Sequence, residues 1–266
     1  MIYHNINPVL LDIGPFEIRH YGLFYAIGFA FSYYLIYYLA KRKEIKLAKD
    51  DAADLILYNV IGVVLGARIA YVVFYNLEFY LSDITQIFAV WNGGLSFHGG
   101  LIGAFAATFY FCRKKKIEFY DIADIMVIPA ALSLALGRIG NFINGELVGR
   151  VSNSGFCINY ENSQYIANPP KGCRYPSQIF ESLKNTFIFG ALWLIKDKKL
   201  PKGAMFWAFV SMYGLLRAFV EFVRQPDEQV GFIFGYFTMG QLLSFPLFVM
   251  GAVMIFRMFK NNPHNL

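Results

Sequence analysis

"YGLFYAIGFAFSYYLIYYLAKRKEIKLAK", residues 21–49, decides how the whole chain is read. Residues 21–40 carry no charge, and Lys41, Arg42, Lys43, Lys46 and Lys49 follow at once. About twenty apolar residues are what a helix needs to cross ~30 Å of hydrocarbon. A basic cluster directly after such a run marks the side of the bilayer that it reaches. No basic segment precedes the run and no small-residue cleavage site follows it, so it reads as a retained span and not as a cleavable signal peptide.

The remainder repeats this unit. Hydrophobic residues make up 57% of the 266 and charged residues 16%, against about 45–50% and about 25% in soluble domains. The excess is gathered into runs separated by charged punctuation. The fold class expected is therefore an all-α membrane protein with seven transmembrane helices, near 21–40, 53–75, 95–112, 121–139, 178–196, 203–223 and 236–258. Helices satisfy their own backbone in lipid, and the alternating strands of a membrane barrel are missing from the sequence. No internal repeat is visible, which weighs against inverted-repeat transporters.

Basic residues fix the orientation. Besides the first cluster they include Arg113 to Lys116, then Lys196, Lys198, Lys199 and Lys202, then Arg257 and Lys260. By the positive-inside rule these loops are cytoplasmic, which puts the N-terminus outside and the C-terminus inside. An odd number of spans requires the same. The net charge of +6 thus reports topology and contact with anionic membrane lipids, and no nucleic acid partner is expected.

Residues 1–266 read as a single polytopic membrane domain, with 142–177 as an extracytoplasmic head insert between the fourth and fifth spans. Cys157 and Cys173 lie in that head, where an oxidising compartment permits a disulfide that spacing alone leaves open. Cys112 reads as an apolar filler. His4, His20, His98 and His264 are too scattered for a metal cluster, so no metal is expected.

Polar residues at membrane depth are costly and mark function. In the sixth span Tyr213, Arg217, Glu221 and Arg224 fall within one narrow stripe, at about 0°, 40°, 80° and 20° around a helix. One reading is an internal ion-pair ladder through the i,i+4 pair Arg217 and Glu221. The other is an anionic ligand, because two arginines exceed one acid. Counting residues from the expected inner ends places Arg217 and Arg68 in the outer half. Arg138, His98 and Tyr21 stand near outer ends of their spans, so five helices bring polar groups to one level. The Glu181–Lys184 pair and Asp124 read instead as the few charges of the inner halves. Arginine matches phosphate with a rigid fork, so a phospholipid headgroup is the natural partner. Where "GRIGNFINGELVGR", 137–150, leaves the fourth span, Asn141, Asn144 and Glu146 are placed to cap, to pair with arginine or to position a substrate.

"HGGL" (98–101), "GRIGNFINGELVGR", "YPSQIFE" (175–181), "YGLLRAFVEFVRQPD" (213–227) and "MGQLLSFP" (239–246) resemble, in that order, the motifs of bacterial prolipoprotein diacylglyceryl transferases. The resemblance implies transfer of the diacylglyceryl group of phosphatidylglycerol to the lipobox cysteine of a preprolipoprotein. That is the first step of lipoprotein maturation, in the bacterial cytoplasmic (inner) membrane, with the active site facing the outer leaflet. It carries over Tyr21, His98, Arg138, Asn141, Glu146, Gly149, Tyr213, Arg217, Glu221 and Arg224 as functional positions. The cysteine nucleophile would come from the substrate, and no cofactor is implied. His98 stands either as the base for the thiol or as a positioner of the headgroup. "NSGFCINYENSQYIANPPKGCRYP", 153–176, has no counterpart in the resemblance. A channel or transporter for a phosphorylated solute would need polar groups through the full depth, and a purely structural protein leaves Arg68, Arg138 and Arg217 unexplained.

Overall fold

The computed structural model describes residues 2–14, 16–226, 231–233 and 236–261. Asp227 and His264 lie outside the described residues. Among the described residues eight α-helices dominate: α1 His20–Arg42, α2 Lys49–Tyr75, α3 Leu77–Ser82, α4 Phe97–Lys115, α5 Phe119–Asn144, α6 Ser177–Ile195, α7 Ala204–Val220 and α8 Met239–Asn261. All seven expected spans fall on a helix, and α3 is additional. By length and composition α1, α2, α5 and α8 are long and apolar enough to cross a membrane, while α7 is a shorter apolar helix. α4 ends in Arg113, Lys114 and Lys115, and α6 carries Glu181 and Lys184.

Helix α6 is inverted relative to a soluble helix. Ser177, Gln178, Glu181, Ser182, Lys184 and Asn185 are buried, while Leu183, Phe187 and Leu194 are exposed. A polar face turned to protein and an apolar face turned outward is the arrangement that lipid selects.

The helices group into two compact units, Tyr33–Ile125 and the remainder, Met1–Ser32 with Met126–Leu266. In the first unit α2 packs on α4 through glycines. Gly62 and Gly66 face Gly99 and Gly103, and a Cβ at Gly66 would come within 3.0 Å of the Gly103 nitrogen. Spacing of small residues by four lets two backbones close to this distance. Ser96 starts α4 as its N-cap, accepting from the Gly99 N–H at 3.4 Å. The cap sets the helix start two residues later than position 95 of the expected span.

In the second unit α6 packs on α7 and α7 on α8. Between α5 and α6 lies the head, built on a three-stranded sheet of β1 Ile2–Tyr3, β4 Ile158–Asn159 and β5 Cys173–Arg174. The middle strand β4 runs parallel to β1 and antiparallel to β5. Cys157 and Cys173 are joined by a disulfide across this sheet, with Cα atoms 5.4 Å apart. Two hairpins complete the unit, β2 Val9–Ile13 with β3 Phe16–Arg19, and β6 Phe232–Ile233 with β7 Phe237–Thr238.

Candidate active site

The run 137–150 begins inside α5 and leaves it through a C-terminal cap. The Glu146 N–H bonds the Asn141 carbonyl at 3.1 Å and the Gly145 N–H bonds that of Phe142 at 3.0 Å. Gly145 has φ +67°, the left-handed conformation that this paired cap requires and that glycine adopts without penalty. The turn brings Glu146 back onto the last turn of α5. Its Oε1 accepts from Asn141 Nδ2 at 2.8 Å and from Asn144 Nδ2 at 3.3 Å. Arg138 Nη1 in turn donates weakly to Asn141 Oδ1, at 3.5 Å. Tyr21 lies against Gly140, its hydroxyl 3.0 Å from that of Tyr25, with Asn141 and Glu146 as further electrostatic neighbours.

Beside this cluster runs a relay of alternating charge. Glu181 Oε1 accepts from Arg217 Nη1, and Arg217 Nη2 reaches Glu221 Oε1. Glu181 Oε2 accepts from Lys184 Nζ at 2.8 Å and faces Arg138 Nε at 3.8 Å. Glu221 also pairs with Arg224 at 3.2 Å and accepts from the Thr238 hydroxyl at 2.7 Å. Lys184 Nζ sits 4.0 Å from the centroid of the Tyr213 ring. Four cations and two anions therefore interleave, leaving positive charge in excess. Arg138 is the least committed cation, with 21% of its side chain exposed against 11% for Arg217 and 2% for Lys184.

Glu181 and Lys184 correct the expectation that put them among inner-half charges. Glu181 stands in the first two turns of α6, next to the head, and therefore shares a level with Arg138 and Arg217. The signal was present in the sequence: Gln178, Glu181, Ser182 and Asn185 recur at helical spacing and define the polar face. α7 also ends earlier than the expected span, so Glu221 and Arg224 occupy the turn after Val220. They keep the stripe because the i,i+3 pair still closes there.

Gly149 lies where the head meets that turn. It bridges to Arg224, its N–H bonds the Tyr175 carbonyl at 3.0 Å, and a Cβ would fall 2.7 Å from the Val223 oxygen. Arg150 clamps the same turn, donating from Nε to the Arg224 carbonyl at 2.9 Å and from Nη2 to that of Glu221 at 3.1 Å.

Two expected site residues belong to the unit Tyr33–Ile125. His98 occupies the first turn of α4, is exposed, and meets the Phe97 ring edge-on. Arg68 is buried at 4% exposure, and its guanidinium donates to the carbonyls of Gln86, Ile87, Ala89, Gly93 and Gly94. Those bonds account for its burial with no anionic ligand.

The model of one protein family, described as prolipoprotein diacylglyceryl transferase, matches residues 8–257. Three curated relatives, each named phosphatidylglycerol–prolipoprotein diacylglyceryl transferase, are similar over nearly full length. The protein of Geobacter sulfurreducens is 45% identical over 96% of both chains. That of Francisella tularensis subsp. holarctica is 41% identical over 99% of both chains. That of Aeromonas salmonicida is 40% identical over 97% of this chain and 92% of its own.

Proposed function

The chain belongs to the prolipoprotein diacylglyceryl transferase family, and we propose from that membership and the charge relay how it carries out the transfer. It is a multi-pass membrane transferase of lipoprotein biosynthesis. In our reading all seven long helices cross the bacterial inner membrane, with the N-terminus outside and the head and relay at the outer leaflet.

Phosphatidylglycerol enters with its phosphate at Arg138, whose side chain is the most exposed of the four cations and whose polar contacts are long, 3.5 and 3.8 Å. Arg217, held on both sides by carboxylates, supplies a second, immobile positive group. The lipobox thiol of a preprolipoprotein loses its proton, and the thiolate attacks the glyceryl carbon that bears the phosphate oxygen. The carbon–sulfur bond forms as the carbon–oxygen bond breaks, its electron pair leaving on the phosphate, so a thioether and glycerol phosphate result. The excess positive charge stabilises the departing dianion, an effect worth several kcal/mol in such sites. It also favours thiolate over a thiol of ordinary pKa near 8.5. His98 is assigned as the proton acceptor or as a headgroup positioner. Asn141, Asn144 and Tyr21 offer hydrogen bonds to glycerol and phosphate oxygens, with Glu146 fixing the two amides. Tyr213, Gly149, Glu221 and Arg224 hold the frame of the site. Arg68 is assigned to fastening the 86–94 turn and not to the phosphate.

The observation that carries this reading is the net positive relay with one loosely held arginine. A purely structural ladder would be balanced, because each uncompensated buried charge costs several kcal/mol. The deciding experiment incubates purified protein with head-labelled and acyl-labelled phosphatidylglycerol and a lipobox peptide. Acyl label on the peptide, with head label in released glycerol phosphate, is the expected result. Peptide that stays unlabelled overturns it.

A further inference from the structure

We propose that Lys184 is a positioning residue of this reaction: by neutralising Glu181 it keeps Arg138 free for the lipid phosphate. The inference rests on the reading of Arg138 as phosphate ligand and assigns it a partner within the fold.

Glu181 has two oxygens and three cationic neighbours. Oε1 is taken by Arg217, and Oε2 by Lys184 at 2.8 Å, while Arg138 Nε stands 3.8 Å from Oε2, outside hydrogen-bonding distance. The Glu181 side chain is 3% exposed, and a carboxylate so buried holds whatever cation can reach it. Lys184 is itself only 2% exposed, with its ammonium over the Tyr213 ring at 4.0 Å. It therefore acts through Glu181 and does not touch substrate. Without its charge, Oε2 loses its hydrogen-bond donor, and the next cation is Arg138. A shift of about 1 Å closes that contact to ordinary length. The planar guanidinium of Arg138 would then be spent on an internal carboxylate that matches it as well as phosphate does.

Lys184→Met is expected to raise the KM for phosphatidylglycerol roughly tenfold, the size of one charge-assisted hydrogen bond, with kcat changed much less. Product inhibition by glycerol phosphate should weaken in step, and Lys184→Arg should recover most of the loss. The diagnostic variant is Glu181→Gln/Lys184→Met, which removes the anion that would capture Arg138. It should have a lower KM than Lys184→Met, whereas a merely structural lysine would lower the unfolding temperature of Lys184→Met and leave its KM near that of the wild type. A wild-type KM in Lys184→Met, or a double variant no better than the single, overturns the inference. If Lys184→Met does not fold, the double variant is compared with Glu181→Gln: equal KM supports the inference and a further rise overturns it. Wild-type protein that makes no thioether, or Arg138→Ala with normal turnover, sinks the parent reading instead.

Discussion

Glu181 and Arg217, 36 residues apart in sequence, meet as a direct ion pair, and Arg217 reaches Glu221 with its other terminal nitrogen. One arginine thus ties α6 to the end of α7, which sets it apart from the loosely held Arg138.

Arg138→Ala and Arg217→Ala should differ in what they break. Both are expected to abolish thioether formation. Arg217→Ala also leaves two buried carboxylates short of a partner, and removing one member of a buried pair costs about 3–5 kcal/mol. Arg138, partly exposed and loosely held, should leave stability nearly unchanged. Thermal unfolding in detergent alongside the transfer assay distinguishes them. Normal turnover in either variant ends the phosphate clamp.

His98→Gln separates base from positioner. A base should lose most activity, and the acidic limb of its pH–rate profile should vanish. A positioner should lose less and keep the profile, with the cost appearing in KM for phosphatidylglycerol.

Arg68→Ala should loosen residues 86–94. Five carbonyls lose their donor at once, and the expected signature is faster amide exchange in that turn and in the first turn of α4. KM for phosphatidylglycerol should move little. A tenfold rise in KM with unchanged exchange would return Arg68 to the phosphate site.

Replacing Cys157 and Cys173 together with Ser should cost about 3 kcal/mol, the loop-closure value for a ring of about this size. The variants should also lose the mobility shift between reducing and non-reducing gels. If reduction leaves mobility and unfolding temperature unchanged, the bridge does not form in the mature protein.

Acid should weaken the head. His4 is 3% exposed, donates from Nε2 to the Phe142 carbonyl at 2.8 Å and stacks on Tyr160. Burial holds its pKa below the ordinary value of 6.5, and protonation would add a donor at Nδ1, which has no acceptor among the described residues. The unfolded chain therefore takes up a proton before the folded one does. Its stabilising effect is complete above about pH 6.5 and is lost as pH falls through that value toward the folded pKa. Amide protection of residues 158–159 should drop between about pH 7 and 5, and His4→Phe should flatten the drop.

Much of this was legible in the sequence. Length and apolarity located every long helix, because lipid imposes a strong periodic demand on composition. The cluster around Arg138, Asn141, Glu146, Arg217 and Glu221 was readable from polar residues that lipid would otherwise exclude. Glu181 and Lys184 were less legible, because an i,i+3 pair inside an apolar run looks self-contained and its partners Arg138 and Arg217 come from other helices. The carbonyl cage around Arg68 was not legible for another reason. Its partners are backbone carbonyls, which every residue has and no sequence pattern announces. The N-terminal strand was missed too, since two residues that pair with a strand so far away leave no local signature.

That strand has a consequence for biogenesis. Ile2 and Tyr3 pair with Ile158 and Asn159, so they leave the ribosome long before their neighbour exists. The sheet of the head cannot zip up until α1 through α5 have been made, and in our topology until they have been threaded into lipid. Contacts so distant in sequence form slowly. Closure of this small sheet therefore reports that the first five helices have delivered Ile2–Tyr3 and residues 158–174 to the same place.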